Sequence, residues 1–198
     1  MERVNFKHMH NYQSQFCQDI WVDNVLNKTN NGYFVDLGAH EAEHISNSYF
    51  FEKERNWKGI AVEIDSKWKQ QWLDNRPNTI FICEDATTID YNTLLKQNNF
   101  PQQIDYLSID LEPPTVTLKA LYKIIETDFI FKTITFETDY YREKSTREPS
   151  REFLKNNGYI LVKDVGSNGK SVDDFYVHNS IYNSSFYDFK TEWDMTNK

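Results

Sequence analysis

The chain has 198 residues, among them 14 Phe, 12 Tyr and 5 Trp, and a formal charge of −8. That length fits one domain with ample apolar material for a core. The negative balance excludes a default nucleic-acid binder, because phosphate backbones need a concentrated Lys/Arg surface and no such stripe occurs here.

The partner expected from this charge is neutral or recognised by a local patch rather than polyanionic. No run reaches the roughly 20 apolar residues of a membrane span, and Met1–Gln18 has no apolar stretch like that of a secretion signal. The expectation is a soluble, cytoplasmic protein without a membrane partner. Cys17 and Cys83 each sit in an apolar-periodic stretch, which reads as two reduced thiols without a disulfide or a zinc site.

In chain order, the spacing predicts a helix over 15–26, capped by Ser14, with Cys17, Ile20, Trp21 and Val25 on one face. Asn30-Asn31-Gly32 breaks it. Tyr33–Leu37 reads as a strand, followed by a helix carrying Tyr49, Phe50 and Phe51, then a second strand over 59–64. Ser66 is expected to cap a helix with Trp68 and Trp72, stopped by Arg76-Pro77-Asn78. Strand 79–83, helix 91–98 and strand 104–109 continue the alternation.

Pro113-Pro114 opens a helix with Leu118, Leu121, Tyr122 and Ile125 at helical spacing. A strand over 132–136 and a helix over 148–156 follow. Segments 159–165 and 175–178, joined through Gly166-Ser167-Asn168-Gly169, read as an antiparallel hairpin. Such alternation means an α/β fold: a seven-stranded, mostly parallel sheet with its last strand antiparallel and helices on both faces. One domain over 1–198 is expected, with an N-terminal helical segment or lid over 1–30, a Rossmann-like core over 31–182 and a tail over 183–198 that carries no assignable element.

In open α/β sheets, ligands bind beyond the carboxyl ends of the strands. There the sequence places Asp36-Leu37-Gly38-Ala39-His40, Glu63-Ile64-Asp65, Glu84-Asp85-Ala86, Asp110-Leu111-Glu112 and Glu137-Thr138-Asp139, an acid after each of five strands. Gly38 permits a sharp turn and close approach of a ligand. Glu63 is placed to accept two ribose hydroxyls. A dinucleotide would want further glycines for its pyrophosphate, whereas His40 and Glu43 stand at those places. A cationic nucleoside such as S-adenosylmethionine suits a rim of Asp36, Glu63, Asp85 and Asp110 better than NAD does.

Several segments together resemble the FkbM-type methyltransferases. These are Ser14-Gln15-Phe16-Cys17-Gln18-Asp19, Phe34-Val35-Asp36-Leu37-Gly38-Ala39, Ile45-Ser46-Asn47-Ser48, Trp57–Glu63 and Ile104–Glu112, then Ile134–Glu137, Ser150–Leu154 with Asn157-Gly158-Tyr159, and Asp173–Val177. The resemblance implies a class I methyltransferase fold and methyl transfer from S-adenosylmethionine to a hydroxyl of a sugar or secondary metabolite. By position, Asp36, Gly38, Ala39 and His40 would form the first cofactor loop with Asn47 nearby. Glu63 and Ile64 would hold the ribose end, Asp85-Ala86 would lie beside the adenine, and Asp110 would face the reacting centre. Gln15, Gln18 and Asp19 would lie over the cofactor as a lid. The chain departs from the family at Cys17, His40-Glu41, Ala42 and Pro113-Pro114.

Methylating a hydroxyl needs collinear reactants and a base. The candidates are Asp110, Glu112 and Glu137, with capping of the following helix as an equal reading of Glu112. Acids at the fourth and fifth strand ends, Asp110 with Glu137 or Asp139, also resemble a magnesium site, kept as a minority expectation. His40 is a weaker base candidate, His44 a weaker one still, and His8, His10 and His178 carry no signal. Tyr140-Tyr141 is read equally as an acceptor wall or a surface turn, and the tryptophans as packing residues. Asp110-Leu-Glu-Pro-Pro departs from the Asp/Asn-Pro-Pro-aromatic pattern of base-amino methyltransferases, since its prolines come late and Thr115 replaces the aromatic. Two functions follow from this reading: an O-methyltransferase, or a nucleoside-binding module without transfer.

Overall fold

The computed structural model describes residues 11–183. His8, His10 and the tail from residue 184 onward, both considered above, lie outside the described residues. Seven strands form one sheet: β1 (Tyr33–Leu37), β2 (Lys58–Val62), β3 (Thr79–Ile82), β4 (Gln103–Ile109), β5 (Ile130–Glu137), β6 (Tyr159–Ser167) and β7 (Lys170–His178). Their order is β3-β2-β1-β4-β5-β7-β6. β7 runs antiparallel to both neighbours and the other six strands run parallel. Strand order reverses between β1 and β4, so a crevice opens where these two part.

The helices are α1 (Gln18–Val25), α2 (Tyr49–Arg55), α3 (Lys69–Asn75), α4 (Tyr91–Gln97), α5 (Pro114–Ile125) and α6 (Arg147–Asn156). Strand alternation divides them between two faces. Val35, Leu37, Ile60, Val62, Leu107 and Ile109 pack with Leu95 of α4, Leu121 and Ile124 of α5, and Leu154 of α6. Phe34, Tyr106 and Phe175 pack on the other side with Trp21 and Val22 of α1 and Phe50 and Phe51 of α2. Ala61 meets Trp72 of α3. Among the described residues no helix is long and apolar enough to cross a membrane.

Local chemistry moves several expected boundaries. α1 starts at Gln18 rather than at 15, because Cys17 takes a left-handed φ of 64°. Ser14 is thus not the residue at the N-cap position, yet its hydroxyl accepts from the first-turn Asp19 N–H at 3.3 Å and also donates to the Asp19 carboxylate. Ser66 opens a single 3-10 turn, and Asp65 is the residue that caps it. β2 stops at Val62, leaving Glu63 and Ile64 beyond the strand. β7 begins five residues before the expected 175, because Asn168 (φ 53°) and Gly169 (φ 76°) make a tight two-residue turn that pairs Ser167 with Lys170. Both cysteines are free; Cys17 is buried, whereas Cys83 is only half-buried and outside the core.

Candidate functional site

β1 and β4 meet at Gly38. Its φ is +80°, and a Cβ there would stand 1.8 Å from the Asp110 carbonyl oxygen. Only glycine fits this approach, which brings the first loop against the end of β4. The Gly38 and Ala39 N–H groups both donate to the Val62 carbonyl, at 2.9 and 3.1 Å, so β2 is drawn into the same junction.

A narrow crevice lies here, lined by Gln15, Gln18, Asp36, Gly38, Ala39, His40, Asn47 and Asp110 of the expected set, together with His44, Ile45 and Ser46. It encloses about 50 Å³, room for a few waters rather than for a ligand-sized occupant. Two of its acceptor atoms, Asp36 Oδ2 and Asn47 Oδ1, are buried without a hydrogen-bond donor, while Asn47 Nδ2 donates to Ser108 Oγ at 3.0 Å. Burial pushes the Asp36 carboxyl up to about 6, against the pull of the Ser48 hydroxyl and the Arg76 charge.

Arg76, expected only to stop a helix, is itself buried beneath this loop. Its Nε donates to Glu52 Oε2 at 2.8 Å, its Nη1 to the Ala42 carbonyl at 2.6 Å and its Nη2 to Ser48 Oγ at 3.1 Å. The guanidinium thus shapes the 42–48 loop from below. An arginine beside a Pro in a turn looks like a solvated terminator, so sequence carried no signal for it.

Glu63 is buried, and backbone holds both its oxygens: His40 N–H donates to Oε2 at 3.0 Å and Asp65 N–H to Oε1 at 2.8 Å. Each oxygen keeps acceptor capacity. Ile64 beside it is 69% exposed, an apolar side chain left at the rim. The His40 ring lies 4.5 Å from that of Trp68, and Trp72 Nε1 donates to the His40 carbonyl at 2.8 Å. Asp85 and Ala86 are not drawn into the crevice. Asp85 accepts from the Thr87 N–H and hydroxyl, both at 2.8 Å, in a turn that holds it below the usual carboxylate range. Glu84 is exposed. β3 is an edge strand, so its acids face water, and the pattern of five terminal acids overstates the cluster.

Above the crevice the Gln15–Cys17 turn is fastened down. Gln18 Oε1 accepts from Phe16 N–H at 2.8 Å, and its Nε2 donates to Asp173 Oδ2 at 2.6 Å. Asp19 accepts from Gln13 N–H at 2.7 Å and Ser14 N–H at 3.0 Å. It anchors this turn from behind and does not line the crevice.

The far wall is acidic. Glu137 Oε2 is buried and has no donor aimed at it, so it gains a partner by carrying a proton toward Asp110. Burial, then the Asp110 charge, pushes Glu137 up to about 11, and burial also raises Asp110 against its hydrogen bond with Glu137. The two titrate as a pair. Asp173 pairs in register with Glu137 across β5 and β7; burial and then Asp110 hold it well above the carboxylate range. Two consecutive acids in the apolar β7, Asp173 and Asp174, were the available signal for this wall. Asp174 is the one satisfied by Arg151, at 2.6 and 2.7 Å.

Glu112, by contrast, has a side chain 64% exposed and ion-paired with Arg142, which also pairs with Asp139. Oxygens of Glu112, Glu137 and Asp139 lie within 4.8 Å of one another. The acids that approach ligand spacing are thus not the Asp110-based set expected from sequence, and the Arg142 guanidinium already bridges two of them. A larger hollow of about 410 Å³ lies at the amino ends of β1 to β3, lined by Tyr33, Lys58, Ile80 and Phe100. No buried titratable side chain lines it.

No family model matches the chain, and no curated protein does. Solved structures match it in fold. A candidate rRNA-methylase from Clostridium thermocellum aligns with TM-score 0.57 and 12% identity over 84% of this chain and 98% of its own. TrmK of M. capricolum, solved with S-adenosyl-homocysteine, gives 0.56 and 13% over 86% and 74%. A 1,6-didemethyltoxoflavin-N1-methyltransferase of Burkholderia thailandensis, solved with bound 1,6-didemethyltoxoflavin and S-adenosylhomocysteine, gives 0.53 and 13% over 81% and 76%. With strand order, the reversed seventh strand and these alignments in agreement, the chain has the class I methyltransferase fold.

Proposed function

We propose that this chain is an S-adenosylmethionine-dependent methyltransferase of FkbM type that acts on a hydroxyl of a carbohydrate or another small molecule. The observation that carries the reading is the pair of buried, donorless acceptors, Asp36 Oδ2 and Asn47 Oδ1, in the crevice beside Gly38. Acceptor-only atoms fit an ammonium and a sulfonium and would repel a pyrophosphate. S-adenosylmethionine, when bound, supplies a methyl group on a sulfonium that leaves as a neutral thioether.

Asp36, Gly38 and Asn47 hold the amino-acid end in this reading, the free lone pairs of Glu63 take the ribose hydroxyls, and Ile64 covers the adenine. Asp110, on the crevice side of its pair with Glu137, receives the proton of the acceptor hydroxyl. Glu137 already holds a proton at neutral pH and supports Asp110 rather than acting as the base. Glu112, exposed and ion-paired, orients the rim through Arg142. Entry of a nucleoside into about 50 Å³ requires the Gln15–Gln18 turn to swing aside.

The tightness of that crevice favours one rival, a scaffold that has lost transfer. Turnover to S-adenosylhomocysteine with a panel of glycans separates the two, and calorimetry with S-adenosylmethionine and with NAD tests the cofactor class. Binding of the methyl donor alone is expected, and Glu63→Ala is expected to weaken it roughly 10- to 100-fold through two lost hydrogen bonds to a charged group. Unchanged affinity in the variant refutes the ribose assignment; no binding at all refutes the function.

A further inference from the structure

We propose that Arg76 is a positioning residue that clamps the 42–48 loop in a strained conformation and so keeps Asn47 in place in the crevice wall. Ile45, in the middle of that loop, has a φ of 53°, a left-handed setting that a β-branched side chain resists. It sits third in a turn closed by the Ser46 N–H on the Glu43 carbonyl at 3.3 Å, a place where glycine or asparagine is usual when φ is positive. The residue is 43% exposed, so its own packing does not hold it there. Strain of this kind persists only where the surroundings impose it.

Arg76 imposes it. The side chain is fully buried and paired with Glu52. Trp72, Tyr49 and Phe34 stand around the guanidinium, with ring centres 4.6, 5.7 and 5.8 Å from its central carbon. Nη1 donates to the Ala42 carbonyl at 2.6 Å and to the Ser46 hydroxyl at 3.4 Å, and Nη2 donates to the Ser48 hydroxyl at 3.1 Å. One rigid fork therefore grips the loop on both sides of Ile45. Glu52 is fixed in turn by the Asn78 N–H at 3.1 Å and by the Thr79 hydroxyl, which ties the base of the fork to the start of β3. Gln71 Oε1 accepts from the Ala42 N–H at 2.9 Å, so the loop also rests on α3, the helix that Arg76 caps.

The groups that this clamp holds still are those beside the strained residue. Ile45, Ser46 and Asn47 all line the crevice. Asn47 keeps a buried Oδ1 without a donor there, while its Nδ2 is spent on Ser108. Without the fork, the turn is free to relax to a negative φ at Ile45, and Asn47 moves with it. A loop held in advance spares a ligand the cost of ordering it. That Asn47 receives the amino-acid end of S-adenosylmethionine rests on the function proposed above. The clamp itself does not, and its first test needs no cofactor.

The experiment is amide hydrogen exchange of the full chain over residues 42–48, read by mass spectrometry in a double-variant cycle. Arg76→Lys keeps a charge beside Glu52 but loses the fork. Protection of the loop is expected to fall roughly tenfold, while β1 and β4 keep theirs. Ile45→Asn lowers the strain, because asparagine accepts a left-handed φ. In the Ile45→Asn background the loss caused by Arg76→Lys is expected to shrink to about threefold or less. Calorimetric affinity for S-adenosylmethionine is expected to follow, falling roughly tenfold in Arg76→Lys and recovering in the double variant. Unaltered protection in Arg76→Lys overturns the clamp. A loss just as large in the Ile45→Asn background overturns the link to strain, since an arginine that only packs is not rescued from an exposed loop residue. Should Arg76→Lys fail to fold, Ser48→Ala removes one arm of the clamp and leaves the Arg76–Glu52 pair. The same loss confined to the loop is expected there, and unaltered protection again overturns the clamp. Affinity that holds while the loop loosens overturns the positioning role. If the cycle behaves as expected while S-adenosylmethionine fails to bind even the wild type, the functional reading falls and the clamp stands.

Discussion

The two halves of the sheet handle buried charge in opposite ways. On the β1–β2–β3 side the acids stand apart from one another: Glu63 takes two backbone N–H groups, and Asp36 keeps one oxygen without a donor while the Arg76 charge partly offsets its burial. On the β4–β5–β7 side, Asp110, Glu137 and Asp173 crowd one another, while Arg142 sits at the solvent edge on Glu112 and Asp139 and Arg151 is taken by Asp174. The first half presents fixed acceptors, which is what binding a cation needs. The second half stores protons, which is what moving one needs.

That contrast predicts opposite kinetic signatures. Asp110→Asn keeps shape and removes the proton acceptor. Its turnover is expected to fall roughly 10²- to 10⁴-fold, with affinity for S-adenosylmethionine falling less than about tenfold. Glu63→Ala should do the reverse, losing affinity with little change in turnover at saturation. Single-turnover rates beside calorimetric affinities read both. Equal losses in the two quantities for both variants would dissolve the division into a binding half and a proton-handling half.

The junction between the halves comes next in size. Gly38→Ala puts a Cβ 1.8 Å from the Asp110 carbonyl oxygen at a φ of +80°. Both the clash and the left-handed backbone oppose it, and about 3 kcal/mol of stability is expected to go. Urea denaturation measures this. A loss below about 1 kcal/mol would mean that β1 and β4 part easily and that the crevice is less rigid than its hydrogen bonds imply.

Sequence made the first half legible because its parts are local. Gly38 follows a strand, Glu63 ends the next, and period-two alternation in β1 and β2 fixes which side chains enter which core. The second half depends on pairings that spacing does not encode. Asp173 meets Glu137 only because β7 inserts between β5 and β6, and Gln18 meets Asp173 only after the chain closes on itself. Arg76 was hidden for the same reason, since its partners Glu52, Ala42 and Ser48 lie 24 to 34 residues away. Asp85 shows the converse: its pattern is local and legible, and on an edge strand it sits in a self-contained turn away from the crevice.

The effect that is smallest per pH unit tests the proton store directly. Glu137 has a folded-state pKa raised from 4.5 to about 11 by burial and then by Asp110. Between those values the folded chain holds a proton that the unfolded chain releases. The contribution is therefore complete below about pH 4.5 and declines as pH rises through the window. Each such proton gives a slope of at most about 1.4 kcal/mol per pH unit. Glu137→Gln removes the titration while keeping a donor that can face Asp110. The variant's stability, measured by urea denaturation from pH 5 to 9, is expected to gain on the wild type as pH rises, because the wild type alone strains to keep its proton. Parallel curves would mean that the Asp110–Glu137 pair is ionised and solvated in the native state, leaving the two halves of the sheet alike in how they treat charge.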